Sequence, residues 1–326
     1  MSTFRKRTVR IVDPGVLSTV QDLGRRGAGR LGVSPGGSAD WYSSRAANRL
    51  VGNPDSAALI ETTLSGASFA LSDDVWIAVT GASAPLAVGG RVCEQWRALR
   101  GRAGERVVVG AARRGLRSYV AFDGGVIAPP LLGSASTDVT SGFGGRIFGR
   151  GDEFSLGAAI DTNPGARIEP IVWQAETVLR TAWRAASSFV DPLFSSSFQV
   201  TDRSSRQAVS LEGEATLAGM RADRPSAGVC AGCVQVTADG TPIVLLCEHQ
   251  TTGGYEIAAV VATADLPRAA QLRPGDRVRF EAIDIEEAGG ALEERRRALD
   301  AASQSLAGPN DGSAVLAAGF FEGAES

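Results

Sequence analysis

The chain has 326 residues, of which 33 are basic and 36 acidic, for a net charge of −3, and 44% are apolar. That balance gives no electrostatic case for nucleic acid or an anionic membrane, and the apolar content supplies a sizeable core over one large domain or two. Lys6 is the only lysine and His249 the only histidine, which excludes a Gly-x-x-x-x-Gly-Lys phosphate loop, a catalytic lysine in the body of the fold and a multi-histidine metal site.

With 40 Gly and 14 Pro, the sequence favours many short strands and tight turns over long helices. Arg10 to Val20 reads as a strand interrupted by a turn at Pro14-Gly15. The polar cluster Gln21-Asp-Leu-Gly-Arg-Arg-Gly27 follows it. Ser38 to Leu50 carries Ala39, Tyr42, Ala46 and Leu50 near helical spacing, and Asn53-Pro54 ends that helix. Ala57 to Thr63 is a strand with Glu61 inside it, and Val75 to Thr80 is a strong strand stopped by Gly81. Arg106–Val109 and Ser118–Ala121 are further strands, with Gly124-Gly125 as a turn.

Asp161 to Ser197 is irregular and reads as a joining segment. Phe198–Thr201, Val234–Val236 and Ile243–Cys247 are strands, the last two joined by a turn at Asp239-Gly240. Glu256–Thr263 reads as a strand or the start of a helix, and Leu266–Leu272 as a helical turn. Glu286 to Leu306 sets Leu292, Leu299 and Leu306 on one stripe of an amphipathic helix, and the Gly- and Ala-rich tail beyond it reads as mobile.

One unit recurs. Leu99–Val109 (L-R-G-R-A-G-E-R-V-V-V), Ile147–Leu156 (I-F-G-R-G-D-E-F-S-L) and Leu272–Phe280 (L-R-P-G-D-R-V-R-F) each place a glycine-acid turn before an alternating strand. Such a turn suits a tight bend, and alternation suits a sheet with one buried face. The pattern is open to two readings: convergent turn chemistry in a β-rich protein, or two related barrel halves.

Three groups of residues carry possible chemistry. Gln250-Thr-Thr-Gly-Gly-Tyr255 follows the apolar run Pro242–Cys247, so hydroxyls, an amide and bare backbone N–H groups stand at the mouth of a β-structure. Gln21, Gln235 and Gln250 each follow or interrupt an apolar stretch, and an amide offers both a donor and an acceptor to a lactam, urea or carboxylate edge. Asp40 and Glu61 are the carboxylates to watch: Glu61 is costly to bury without a cation, Arg25, Arg26 and Arg45 are candidate partners, and Asp40 also reads as a helix cap. Cys230, Cys233, Cys247 and His249 have spacing compatible with a zinc site or a redox pair, though Cys247 reads equally as a small buried hydrophobe. No apolar run approaches the about 18 residues of a membrane span, and the short basic start does not read as a secretory leader; a cytoplasmic protein with reduced thiols is expected.

The ordered motifs Thr19-Val-Gln-Asp-Leu-Gly-Arg-Arg-Gly27, Leu31-Gly-Val33, Asp40, Ala47-Asn48-Arg-Leu-Val-Gly-Asn53, Glu61, Ala78-Val-Thr-Gly-Ala82, Gly240–Leu246, Gln250–Tyr255, Ala264-Asp-Leu266 and Gln271-Leu-Arg-Pro-Gly-Asp276 span roughly Val9 to Ile283. This set resembles the family of 5-oxoprolinase C subunits, also called KipA-like or allophanate hydrolase subunit 2 and related to the carboxyltransferase region of urea carboxylase. The resemblance implies a mainly β fold of two cyclophilin-like β-barrel domains with a few short helices and a C-terminal helix. The expected division is 1–165 and 196–285 for the two barrels, 166–195 for the connection and 286–326 for the helix and tail. It also implies work with a KipI-like B subunit and an A subunit, opening 5-oxo-L-proline to L-glutamate at the expense of ATP, with Mg2+.

On that reading Asp40, Glu61 and Gln250 are catalytic. Gln21, Arg25, Asn48, Arg203, Gln235, Thr251, Thr252, Gly253, Gly254 and Tyr255 bind substrate or phosphate, and the chain holds no metal of its own. The alternatives are a carboxyltransferase component acting on urea or a related amide with biotin on a separate carrier, and a non-enzymatic regulator of a KipI-like kinase inhibitor. Departures from the family pattern are Gly36-Gly-Ser-Ala-Asp40, Asp202-Arg-Ser-Ser-Arg-Gln207 and Glu248, which leave room for a different small amide or lactam.

Overall fold

Burial alternates along the first strand, Thr8–Asp13, where Val9 and Ile11 enter the core and Arg10 stays outside. The same pattern recurs through the N-terminal half of the computed structural model, which describes residues 6–160, 167–170, 174–185, 190–213, 217 and 225–306. Two antiparallel sheets result. One has seven strands in the spatial order Val126–Ile127, Glu153–Leu156, Thr8–Asp13, Ser68–Leu71, Arg106–Val109, Leu86–Val88 and Arg91–Cys93. The other has five, in the order Leu17–Gln21, Leu59–Thr63, Arg114–Phe122, Val75–Ser83 and Leu99–Gly101.

The chain passes between these sheets at short corners. At one, Gly15 (φ 65°) and Gly66 pack backbone on backbone: a Cβ at Gly15 would lie 2.2 Å from the Ser65 carbonyl, and one at Gly66 2.1 Å from that of Val109. Only glycine permits the approach, so the strands fold over into a two-layer sandwich. Phe69, Phe122, Phe154 and Phe148 fill it, with ring centroids 5.4–5.7 Å apart along the series.

The C-terminal half is a closed barrel of seven strands: Glu176–Arg184, Glu256–Val261, Cys233–Val236, Pro242–Leu245, Ala208–Glu212, Ser197–Val200 and Arg277–Ala282. A parallel pairing of Glu176–Arg184 with Arg277–Ala282 closes it, and Leu179, Phe198, Val234, Val244 and Phe280 are among its interior residues. Closure removes the sheet edges that the first half keeps.

Two barrels are expected from the resemblance, and one closed barrel is observed. In the N-terminal half the corners break the hydrogen-bond ladder into two sheets, so that half is a sandwich. The expected connection, 166–195, also needs correcting, because Glu176–Arg184 within it is a barrel strand. All three glycine-acid units do precede strands, at Arg106–Val109, Glu153–Leu156 and Arg277–Ala282, two in the seven-stranded sheet and one in the barrel. Gly81 does not stop its strand: it sits at φ 87° inside Val75–Ser83, where the register with Arg114–Phe122 shifts.

Four α-helices complete the described fold: α1 (Trp41–Leu50), α2 (Asp191–Ser195), α3 (Leu266–Ala269) and α4 (Ile285–Leu306). α1 lays Tyr42, Ala46, Ala47 and Leu50 in a cluster with Ala78, Tyr119 and Ala121 of the five-stranded sheet, and Leu299 of α4 joins that cluster. The expected mobile tail after Leu306 lies outside the described residues. No helix among the described residues is long and apolar enough to cross a membrane.

Candidate functional site

The sandwich and the barrel meet along a polar seam. Glu61, inside Leu59–Thr63, is 1% exposed and faces Arg206 of the barrel half. Arg206 pairs with both Glu61 and Glu248, donates to the Gly37 carbonyl at 2.6 Å and touches Cys247 Sγ at 3.3 Å. The second Glu61 oxygen accepts the Ala39 N–H at 3.1 Å, and Arg117 Nε lies 3.6 Å from the first. Burial alone would raise the Glu61 pKa, but Arg206 and Arg117 outweigh it and hold the carboxyl below its usual range. At Glu248 burial wins over Arg206 and the pKa is raised. Burial pushes the Cys247 thiol up to about 11, against the pull of Arg206.

The arginines expected to meet the carboxylates do other work. Arg25 donates to the Leu131 carbonyl at 3.1 Å and to Ser136 Oγ at 2.9 Å, also reaches the Ser136 carbonyl, and stacks 5.0 Å from the Phe143 ring centre. It ties down a loop and is not free for phosphate. Arg203 is exposed at a turn, and the buried arginine of that turn is Arg206. The sequence carries half of this signal, since a Glu in an apolar strand demands a cation; which arginine answers depends on how the barrel docks.

Asp40 caps α1: it accepts the Ser43 N–H at 2.9 Å, the Ser43 hydroxyl at 2.6 Å and the Gln271 amide at 2.8 Å. Burial raises its pKa against those bonds. Gln271, absent from the expected site residues, also accepts from Leu116 N and Arg117 N, each at 2.9 Å, and donates to the Arg117 carbonyl at 2.9 Å. Asn48 is likewise occupied, donating to the Ala57 carbonyl at 2.8 Å and accepting from Asn53 at 3.1 Å.

Two of the three glutamines are brought together. Gln250 Nε2 donates to Gln235 Oε1 at 3.1 Å, while the buried Gln235 Nε2 has no protein partner. Gly253 faces the pair: a Cβ there would come 2.6 Å from Gln235 Nε2 and 3.3 Å from Gln250 Nε2. Thr252–Gly253 forms a short ribbon with Ala227–Gly228, and the Val229 N–H bonds the Thr251 carbonyl at 3.2 Å. Gly254 follows, and Tyr255 is 41% exposed. Gln21 stands apart, donating to Thr19 Oγ1 and the Thr137 carbonyl, both at 3.0 Å, with its buried Oε1 unpartnered. His249 is buried, its Nδ1 2.6 Å from the Gln250 carbonyl oxygen.

A cavity of about 310 Å3 opens at the seam. Leu23, Trp41, Leu246, Leu266 and Leu292 give it an apolar wall, and Arg26, Arg45 and Arg296 bring three guanidinium groups to it. Arg45 is the most constrained of these. Burial lowers its pKa, Asp55 opposes that, and Arg26, Arg49 and Arg296 lower it further. Ser38 lines the cavity, and its hydroxyl is buried without a protein partner. The three glutamines do not line it, so the amide pair and the cavity are separate features of the seam. Among the described residues no three Cys, His, Asp or Glu side chains converge as metal ligands. Cys230 and Cys233 meet each other instead, and Cys247 meets Arg206.

The fold is thus a β-sandwich docked on a closed β-barrel, with buried ion pairs and an arginine-rimmed cavity between them. Residues 31–282 match the carboxyltransferase domain family, subdomain A and B, and the chain belongs to that family, with the 5-oxoprolinase C subunits and the urea carboxylases as relatives. The chain is 33% identical over 298 residues to the 5-oxoprolinase C subunit of Escherichia coli (strain K12), covering 89% of this chain and 96% of that protein. Among solved structures it is similar to TTHA0988, at 31% identity and a TM-score of 0.79 over 85% of this chain and 56% of that one. It is similar as well to Kluyveromyces lactis urea carboxylase, at 27% identity and a TM-score of 0.84 over 92% of this chain and 30% of that one. The chain thus spans about half of the first structure and under a third of the second.

Proposed function

We propose that this chain binds a small anionic lactam as one subunit of a larger assembly. The lactam we assign is 5-oxo-L-proline, opened to L-glutamate with ATP hydrolysis. The observation that carries the reading is the seam cavity. A lactam ring buries apolar surface against Trp41, Leu246 and Leu266, while its carboxylate meets the guanidinium groups of Arg26, Arg45 and Arg296. The unpartnered Ser38 hydroxyl adds a hydrogen bond to the ring amide or carboxylate. Three arginines line the cavity against one carboxylate residue, Asp22, and Arg45 already has Asp55 at 3.8 Å, so the remaining excess of positive charge favours an anionic ligand over a neutral one. Identity of 33% over 96% of the 5-oxoprolinase C subunit of Escherichia coli supports the same reading.

ATP with Mg2+ supplies carbonyl activation in such a reaction, since a lactam nitrogen is a poor leaving group. Asp40 and Glu61 do not fit as ligands for metal and nucleotide. Ser43 and Gln271 fill the Asp40 carboxylate, and Ala39, Arg206 and Arg117 surround that of Glu61. Arg25 does not fit as a phosphate ligand, because the 131–143 loop uses it. The proposal therefore gives the nucleotide to a KipI-like B subunit and an A subunit. Lactam binding stays here, and Gln250, Gln235 and Gly253 form a second polar contact for substrate or partner.

A second reading is a carboxyltransferase component acting on urea or a related amide with carboxybiotin from a separate carrier. The urea carboxylase structure matches more of this chain, and with a higher TM-score, than TTHA0988, so fold-level support for this reading is at least as strong. The deciding experiment is 5-oxo-L-proline-dependent ADP and glutamate production by this chain with its B and A partners. Activity that needs this chain, and falls when Arg45 and Arg296 are replaced by Gln, supports the first reading. No such activity, together with urea-dependent consumption of carboxybiotin, replaces it with the second.

A further inference from the structure

Cys230 and Cys233 bracket Ala231-Gly232 at the entrance to the strand Cys233–Val236. Their sulfurs lie 3.6 Å apart, in direct contact and without a covalent bond. The turn between them is tight: the Cys233 N–H bonds the Cys230 carbonyl at 3.1 Å, and Gly232 sits at φ 93° against the Val261 carbonyl. Cys230 is exposed and Cys233 is buried.

We propose that Cys230 and Cys233 are a thiol–disulfide exchange site that closes reversibly to an intramolecular disulfide. A disulfide needs an S–S distance of about 2.0 Å, and rotation of the exposed Cys230 side chain toward Cys233 is the short movement required. The chemistry is asymmetric. The two sulfurs share one hydrogen bond and the Cys230 backbone N–H donates to Cys233 Sγ at 3.5 Å, and contact with Cys230 lowers the Cys233 thiol to about 6 while the Cys230 thiol is raised.

The oxidant we name is a small-molecule disulfide. Cys230 attacks one of its sulfurs, passing its proton to Cys233; a mixed disulfide forms and one external thiolate leaves. Cys233 then releases that proton to the departing thiolate and attacks Cys230 Sγ. The Cys230–Cys233 bond forms as the second external sulfur departs as thiolate and takes a proton from water. Two cysteine thiols are oxidised and one external disulfide is reduced to two thiols.

The location gives the site a reach beyond the turn. Ala231, between the two cysteines, lines the seam cavity. The ribbon of Ala227–Gly228 with Thr252–Gly253, and the bond from Val229 N to the Thr251 carbonyl, join the same loop to the segment that carries Gln250. The other two thiols serve as internal controls, Cys93 being half-buried and Cys247 held against Arg206.

The test is oxidation of the reduced full chain by oxidised glutathione, followed by thiol counting, intact mass and peptide mapping. The expected result is loss of two of the four thiols and of two hydrogens, a mapped Cys230–Cys233 link, and full recovery in dithiothreitol. Cys233→Ser is expected to stop at a glutathione adduct on Cys230. Cys230→Ser is expected to form no internal link and to lose thiols at least tenfold more slowly, with circular dichroism confirming that both variants fold. A chain that keeps all its thiols overturns the proposal, as does one that takes glutathione on Cys93 without an internal link, or one whose Cys230→Ser variant oxidises as fast as the parent.

Discussion

Gln271 Nε2 donates to Asp40 Oδ2 at 2.8 Å, joining residues 231 positions apart and fixing the barrel half to the first turn of α1. The same side chain bonds Leu116 N, Arg117 N and the Arg117 carbonyl, so every polar group of one amide is used across the seam. Gln271→Ala leaves those buried groups without partners. At about 1–3 kcal/mol for each unsatisfied group, it is expected to cost about 3 kcal/mol or more, read as a shift in urea midpoint at unchanged m-value.

Asp40 separates a cap from a catalyst. Asp40→Asn keeps one oxygen on the Ser43 N–H but turns its NH2 toward the Gln271 amide, and is expected to cost about 1–3 kcal/mol, whereas Asp40→Ala loses the cap as well and is expected to cost more. Turnover of the assembled complex is expected to survive in Asp40→Asn. A folded Asp40→Asn variant with turnover reduced a hundredfold would restore the catalytic role that the sequence suggests.

Arg206 joins Glu61 and Glu248, both buried. Arg206→Met leaves two buried carboxylates facing each other and is expected to destabilise the fold by about 3–5 kcal/mol, the usual result of removing one partner of a buried pair. Adding Glu61→Gln and Glu248→Gln to Arg206→Met is expected to recover part of that loss. Thermal denaturation of the series reads the coupling directly.

Stability should depend on acidity through Glu61. Its folded pKa is depressed below the unfolded value of about 4.3, so its contribution is full above that value and is lost as pH falls through the folded pKa. Glu248 and Asp40, raised by burial, act with the opposite sign: they favour the folded state where they are protonated and lose that advantage as pH rises through their folded pKa values. Urea midpoints from about pH 3 to pH 7 are expected to fall at the acid end in the parent chain and to fall less in Glu61→Gln. Parallel profiles for the two chains would contradict this assignment.

Gly253→Ala places a methyl where Gln235 Nε2 now lies, 2.6 Å from the new carbon. The φ of Gly253 is not in the left-handed region, so the backbone is unstrained and the amide must move. The expected outcome is a folded chain, within about 1 kcal/mol of the parent, whose Gln235–Gln250 bond is broken. Turnover of the complex should fall about tenfold, to the level of Gln250→Ala, with subunit assembly intact; both rates at the parent level would remove the amide pair from the site.

The strands and α1 were legible because each follows local rules. Alternating burial set strands such as Arg106–Val109, helical spacing set α1, and Asp40 before Trp41 announced the cap. The glycine-acid units located strand starts correctly in both halves, yet they did not reveal whether a half closes. Closure depends on pairings such as Glu176–Arg184 with Arg277–Ala282, 101 residues apart, and on corners where Gly15 and Gly66 break the ladder.

The site divides in the same way. Residue types alone exclude histidine clusters and lysine chemistry, and the ordered motifs identify the family, because the identities in the loops are written in the chain. Pairing is not: Glu61 needs a cation, but Arg206 is 145 positions away and is chosen over Arg25, Arg26 and Arg45 only when the barrel docks on the sandwich. The seam cavity exists only after that docking, since its walls come from the segment before α1, α1 itself, the barrel half and α4. A local sequence sets which groups need partners; long-range packing, which fixes distance and excludes water, decides which partners they meet.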